Sequence, residues 1–254
     1  MTSLNNRKTI RKYQDKEVPS DLLNYLLSVS ECTQTMGNLQ LYSVVSTTKA
    51  ENKARLAPAH FNQTMVTQAP VVLTFCADFN RTTQWAHHRK GNPGYNNFLS
   101  FLNAVSDTLL YCQTFCNMAE AQGLGCCYLG TTLYNPEPII DVLNLPALVM
   151  PVATITLGWP DECPELSDRL PLKSILHEET YQQYTPEAID EYYCPKEDLE
   201  VNKNFVEINK KETLAQVFTD VRYTKEGNEV FSKNLLNALV RQKFLSEKEL
   251  KELF

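Results

Sequence analysis

Residues 97–122 constrain the fold more than any other stretch. They contain neither glycine nor proline and are apolar almost all the way round. The pattern predicts one long helix, buried in a core or in a contact between subunits. Gly123-Leu124-Gly125 stops it. Two continuous apolar runs, residues 69–78 and 149–158, read as strands covered on both faces. Residues 39–48 alternate and are rich in β-branched side chains, which predicts a further strand. A short one is expected at 126–129.

Other helices fall between these strands. Pro19-Ser20-Asp21 opens an amphipathic helix carrying Leu22, Leu23, Leu26 and Leu27. Residues 49–61 are a polar, helix-favouring connection, and Asn135-Pro136-Glu137 caps a helix ended by Leu145-Pro146. Residues 82–95 read as a loop around Gly91-Asn92-Pro93-Gly94. From 161 to 204 the chain is acidic and rich in tyrosine, an extended segment with short helices, one starting at Thr185-Pro186-Glu187. Residues 209–254 read as two or three helices, with Leu235, Leu236, Leu239 and Val240 as the best apolar stripe. Strands separated by helices place the chain in the α/β or α+β class, the sheet lying between helices.

The net charge of −6 argues against a dedicated nucleic-acid binder. The apolar runs are too short or too interrupted to span a membrane, and the polar start of the chain predicts no secretory leader. A cytoplasmic location is the expectation. The eight cysteines include no Cys-x-x-Cys, so they read as reduced core residues. Cys126 and Cys127 are expected on opposite strand faces, and Cys112 and Cys116 on one helix face. The four histidines read as structural or surface residues, and no metal site is expected. Nucleophile-elbow and phosphate-loop motifs are missing, and after Gly123-Leu124-Gly125 position 128 is Tyr, not the third glycine of a dinucleotide fingerprint. A chain without its own catalytic constellation suits one whose chemistry is carried by a cofactor.

Positive evidence comes from Arg7, Lys8, Arg11 and Lys12, four cations within six residues around the Thr9 hydroxyl. Guanidinium forks match phosphate oxygens in pairs, although such a cluster taken alone is also compatible with a solvated terminal face. Arg7-Lys8-Thr9-Ile10-Arg11-Lys12-Tyr13 resembles the N-terminal flavin-phosphate motif of the nitroreductase family. Thr35-Met36-Gly37-Asn38-Leu39-Gln40 is similar to that family's second flavin loop. Residues 74–81 and 121–130, and Leu157-Gly158-Trp159-Pro160 with Arg169 behind it, resemble blocks of its larger NADPH-dependent branch. The likeness runs from about residue 4 to about 185 and continues weakly through the C-terminal helices.

That resemblance implies a three-layer α+β sandwich with a mostly antiparallel sheet, in a domain-swapped homodimer holding FMN at the subunit interface. Residues 1–185 would form the FMN-binding domain, and 186–254 a helical extension packed on it. Arg7, Lys8, Thr9 and Arg169 would hold the phosphate and ribityl chain, with Arg11 at the pyrimidine edge. Gln63 would bond the flavin ring, lined on its other side by Tyr128, Leu129, Gly130 and Thr131. Thr35, Met36, Gly37 and Asn38 would come from the partner chain. The implied activity is a ping-pong transfer of hydride from NAD(P)H through flavin N5 to a nitroaromatic, quinone or related small acceptor. Relatives with this fold also dehalogenate, desaturate or fragment flavin, and a flavin-binding protein without turnover is the reading from a different class. The chain departs from the branch at Ser167, where a phosphate-binding Lys is expected, and at Asn228, near an expected NADPH-binding Arg. Met36 and Gly37 stand where small hydroxyl residues are usual.

Overall fold

Two central strands, wholly buried along their length, organise the chain. The computed structural model describes residues 4–252. Among them, β1 (Tyr42–Thr47), β2 (Val71–Asp78), β3 (Gly125–Leu129) and β4 (Val149–Gly158) form one sheet in the order β1-β2-β4-β3, each neighbouring pair antiparallel. Around these strands lie α1 (Ser20–Ser30), α2 (Ala50–Leu56), α3 (Thr64–Gln68), α4 (Asn80–His88), α5 (Phe98–Ala121) and α6 (Pro136–Leu143). After them come α7 (Pro186–Glu197), α8 (Glu200–Ile208), α9 (Leu214–Val217), α10 (Lys225–Arg241) and α11 (Glu247–Glu252). Two compact units result: one runs to Glu165 and resumes at Phe231, and the other is Leu166–Val230.

In the first unit the alternation of β2 and β4 sends side chains both ways. Leu73, Phe75, Ile155 and Leu157 pack with Leu26 of α1 and Phe115 of α5 on one face. Val72, Cys127 and Leu129 pack with Leu56, Met65, Val66 and Ile139 from α2, α3 and α6 on the other. Each such fully buried side chain contributes about 1.5–3 kcal/mol of burial. The result is helix, sheet, helix, the α+β sandwich expected. Cys126 joins the α5 face and Cys127 the opposite one, as their adjacency predicts. Pro151 sits in a central strand although it has no N–H to donate, and the register shifts there by one residue between Phe75 and Cys76.

The long helix is present, and its core-facing side is buried as its sequence predicts. Phe101, Ala104, Tyr111, Phe115 and Ala119 face the core. Leu99, Leu102, Leu109 and Leu110 stay exposed on the outside, Leu99 by 67%. Two local expectations are corrected. The segment read as loop from residue 82 begins inside α4, and only the stretch after His88 is irregular. The strand expected from residue 39 starts at Tyr42, because residues 36–38 form a tight turn and Gln40 is left-handed at φ 54°.

Candidate functional site

The basic segment is fixed before it meets any ligand. Ile10 N–H donates to the Cys126 carbonyl at 3.0 Å, laying residues 7–11 alongside β3. The Ile10 side chain lies over Gly125, where a Cβ would stand only 2.6 Å from its branch atoms. Tyr13 locks the end of the segment: its hydroxyl donates to the Ile10 carbonyl at 2.7 Å and meets Thr156 Oγ1 at 2.7 Å. Burial pushes the Tyr13 hydroxyl far above its ordinary pKa, so it remains neutral. The backbone N–H groups of Arg11 and Lys12 donate to the Glu162 carboxylate, the Arg11 bond first among the causes holding Glu162 below the usual carboxylate range.

The side chains of the segment then diverge. The Arg7 guanidinium reaches Thr9 Oγ1 at 3.4 Å and lies 4.0 Å from Glu120 at the end of α5. Burial raises the Glu120 pKa, opposed by Arg7. Lys8 Nζ stands 3.3 Å from Cys163 Sγ. Arg7, Lys8, Ile10, Met118, Glu120 and Gly125 line a cavity of about 620 Å³. Arg11 reaches towards Cys127, whose thiol burial pushes up while the guanidinium pulls it down. A larger cavity of about 770 Å³, beside Lys16, Lys49 and Lys53, contains none of the expected residues.

Two further predicted pieces meet beside this segment. Phe61 and Asn62 take left-handed conformations at φ 54° and 53°, turning the chain so that Gln63 heads α3 without spending its side chain as a cap. His60 Nδ1 lies 2.8 Å from Thr131 Oγ1, which ties this corner to the turn after β3. Thr132 Oγ1 closes that turn by donating to the Leu129 carbonyl at 2.9 Å. Tyr128 is half-exposed, Leu129 is buried, and no atom of the described residues lies within 4 Å of where a Cβ on Gly130 would stand. The backbone at Gly130 is therefore open to a planar group.

The fourth piece is held elsewhere. Met36 N–H and Leu41 N–H donate to the two oxygens of Asp107, a buried carboxylate on α5, at 2.8 and 3.2 Å. Arg81 adds a clamp through the Tyr42 carbonyl at 3.2 Å and the Gln40 carbonyl. Thr35, Met36, Gly37 and Asn38 thus lead into β1, at the sheet edge opposite β3. Three inter-strand steps put the two edges about 14 Å apart, so one copy of the chain does not bring this loop to residues 7–11. In the second unit, the Arg169 guanidinium bonds the carbonyls of Ser167 and Asp168, at 3.0 and 2.8 Å. Lys173, six residues after Ser167, is paired with Glu191. The Asn228 amide is used on the Tyr223 carbonyl at 3.2 Å.

Asp107 and His60 escaped the sequence reading. The one signal for Asp107 was an acid inside an apolar helix, and His60 gave none. Cys112, Cys116 and Cys126 pack in one cluster, and hydrogen bonding to Cys116 together with burial holds the other two well above the usual thiol range. All eight cysteines are free, and no grouping among the described residues suits a metal ion.

The family model described as the nitroreductase family matches residues 4–159. The chain belongs to the nitroreductase family. It is 31% identical to an oxygen-insensitive NADPH nitroreductase of Salmonella typhimurium over 185 residues, 73% of this chain and 75% of that protein. It is equally 31% identical to an FMN reductase [NAD(P)H] of Bacillus subtilis, across 70% of this chain and 73% of the relative. A crystal structure from Bacteroides fragilis superposes with a TM-score of 0.96 at 58% identity, covering 97% of this chain and 100% of the other. No helix among the described residues is long and apolar enough to cross a membrane.

Proposed function

We propose that this chain is an FMN-dependent oxidoreductase that works as a homodimer in the cytoplasm and passes electrons from NAD(P)H to nitroaromatic, quinone or related small acceptors. The observation that carries the reading is the basic segment pinned along β3, next to the open Gly130 turn. Of Arg7, Lys8, Arg11 and Lys12, only the Arg7 side chain forms an ion pair within 4.0 Å among the described residues, and Glu162 is bound by the backbone N–H groups of Arg11 and Lys12 rather than by their side chains. The cluster therefore keeps charge to spare for a phosphomonoester. Relatives named as FMN reductase and NADPH nitroreductase support the same reading.

When bound, FMN supplies a two-electron carrier. The chain's own residues bind and orient it. Arg7, Lys8 and Thr9 take the phosphate and ribityl chain. Arg11 places positive charge at the pyrimidine edge, where a reduced flavin gathers negative charge, a bond of about 1–3 kcal/mol. Gln63 offers its amide to the ring, and the Tyr128–Thr131 turn lines its other side. Thr35, Met36, Gly37 and Asn38 reach this seat from a second copy, because within one chain they occupy the far sheet edge. The exposed Leu99, Leu102, Leu109 and Leu110 face of α5 supports that contact.

Purified protein is expected to be yellow and to bleach anaerobically with NADH or NADPH. Comparing the two donors decides which one the chain uses, given Asn228 and the absence of an arginine there. A colourless protein that ignores added FMN sinks the proposal.

A further inference from the structure

We infer that His60 is a positioning residue that makes the Thr131 hydroxyl a hydrogen-bond donor towards the flavin. This rests on the FMN reading above. His60 ends the turn Ala57–His60, is fully enclosed, and meets Thr131 Oγ1 through Nδ1 at 2.8 Å. Its other ring nitrogen, Nε2, is buried and has no hydrogen-bond partner among the described residues. A neutral imidazole carries one N–H. Were that proton on Nε2, a buried donor would be orphaned, which is rarer and costlier than an orphaned acceptor. The proton therefore sits on Nδ1 and is donated to Thr131 Oγ1. With its oxygen accepting that bond, the Thr131 hydroxyl keeps its own proton to give, and it makes no other hydrogen bond among the described residues. The acceptor it fits is a carbonyl oxygen or ring nitrogen of a planar ligand resting on the open backbone of Gly130. Burial lowers the His60 pKa to about 4, so the arrangement persists across the neutral range.

The test is a double-mutant cycle on the FMN-loaded protein, using His60→Leu, Thr131→Val and the pair. It reads the FMN dissociation constant by fluorescence and the midpoint potential of the bound flavin. Each single change is expected to weaken FMN binding about tenfold and to shift the potential. The pair is expected to do no worse than Thr131→Val alone. His60→Asn, whose amide donates from near the Nδ1 position, is expected to restore affinity to within about twofold. Additive losses, or a His60→Leu protein with unchanged affinity and potential, overturn the inference. Should His60→Leu fail to fold, Thr131→Val and Thr131→Ser carry the test: serine must keep what valine loses, and equal values overturn it. Wild-type protein that binds FMN while the cycle is additive overturns this inference alone, whereas wild type that binds no FMN overturns the flavin reading with it.

Discussion

The His60 ring is fully enclosed, and burial lowers its pKa from the ordinary value near 6.5 to about 4. Between those two values the unfolded chain takes up a proton that the folded chain refuses. Stability from this group is therefore complete above about pH 6.5 and lost as pH falls towards 4, a swing of about 3 kcal/mol. Urea melts of wild type and His60→Asn across that range are expected to converge as pH drops. At Gly125 the argument is steric. An added Cβ meets the branch point of Ile10, which cannot swing away, so Gly125→Ala is expected to cost about 1–3 kcal/mol. It also dislodges the basic segment, so the melt shifts and FMN affinity falls together. Arg7→Ala combined with Arg11→Ala is expected to strip the flavin while the melt of FMN-free protein shifts little, because the segment's backbone is held by the Ile10 and Tyr13 hydrogen bonds. A double variant that stays fully yellow contradicts their role. This segment was legible from charge alone, whereas His60 was not: its importance comes from burial and from a hydroxyl 71 positions away.

Residues 35–40 form an element whose shape is imposed from outside. Gly37, Asn38 and Gln40 are all left-handed, and the carboxylate of Asp107 holds both ends. Replacing Asp107 by Asn leaves one oxygen for two N–H groups, and an unpaired buried N–H costs about 1–3 kcal/mol. Amide exchange is expected to accelerate at Met36 and Leu41 while β2 and β4 stay protected. The same contact explains why β1 begins later than its alternation suggests: Asp107 binds Leu41 across 66 positions, and no local pattern announces that. Helix α4 was hidden for another reason. Asn80–His88 is mostly polar with no clear apolar stripe, and the glycines and proline behind it drew the whole stretch into a loop reading. By contrast β2, β4 and α5 were legible because each is apolar over its full length, a signal that needs no partner.

At the scale of the molecule, the sheet order separates two groups of residues that the cofactor reading requires together. β1 and β3 are opposite edges, and the outer face of α5 is apolar and exposed. Placing charge there, with Leu99→Glu and Leu110→Glu, is expected to halve the mass seen by sedimentation and to release the flavin. Both positions are exposed in the single chain, so its melt is expected to change by less than about 0.5 kcal/mol. A variant that remains dimeric and yellow removes α5 from the interface.

The separation of β1 from β3 also reaches beyond architecture. A seat assembled from opposite edges of two copies couples occupancy to protein concentration by mass action. Colour per milligram is then expected to fade on dilution towards the monomer, and excess FMN to hold the copies together. On the proposed reading the cofactor would act as an adhesive as well as a reagent, and a cell starved of flavin would lose the assembled protein along with its activity.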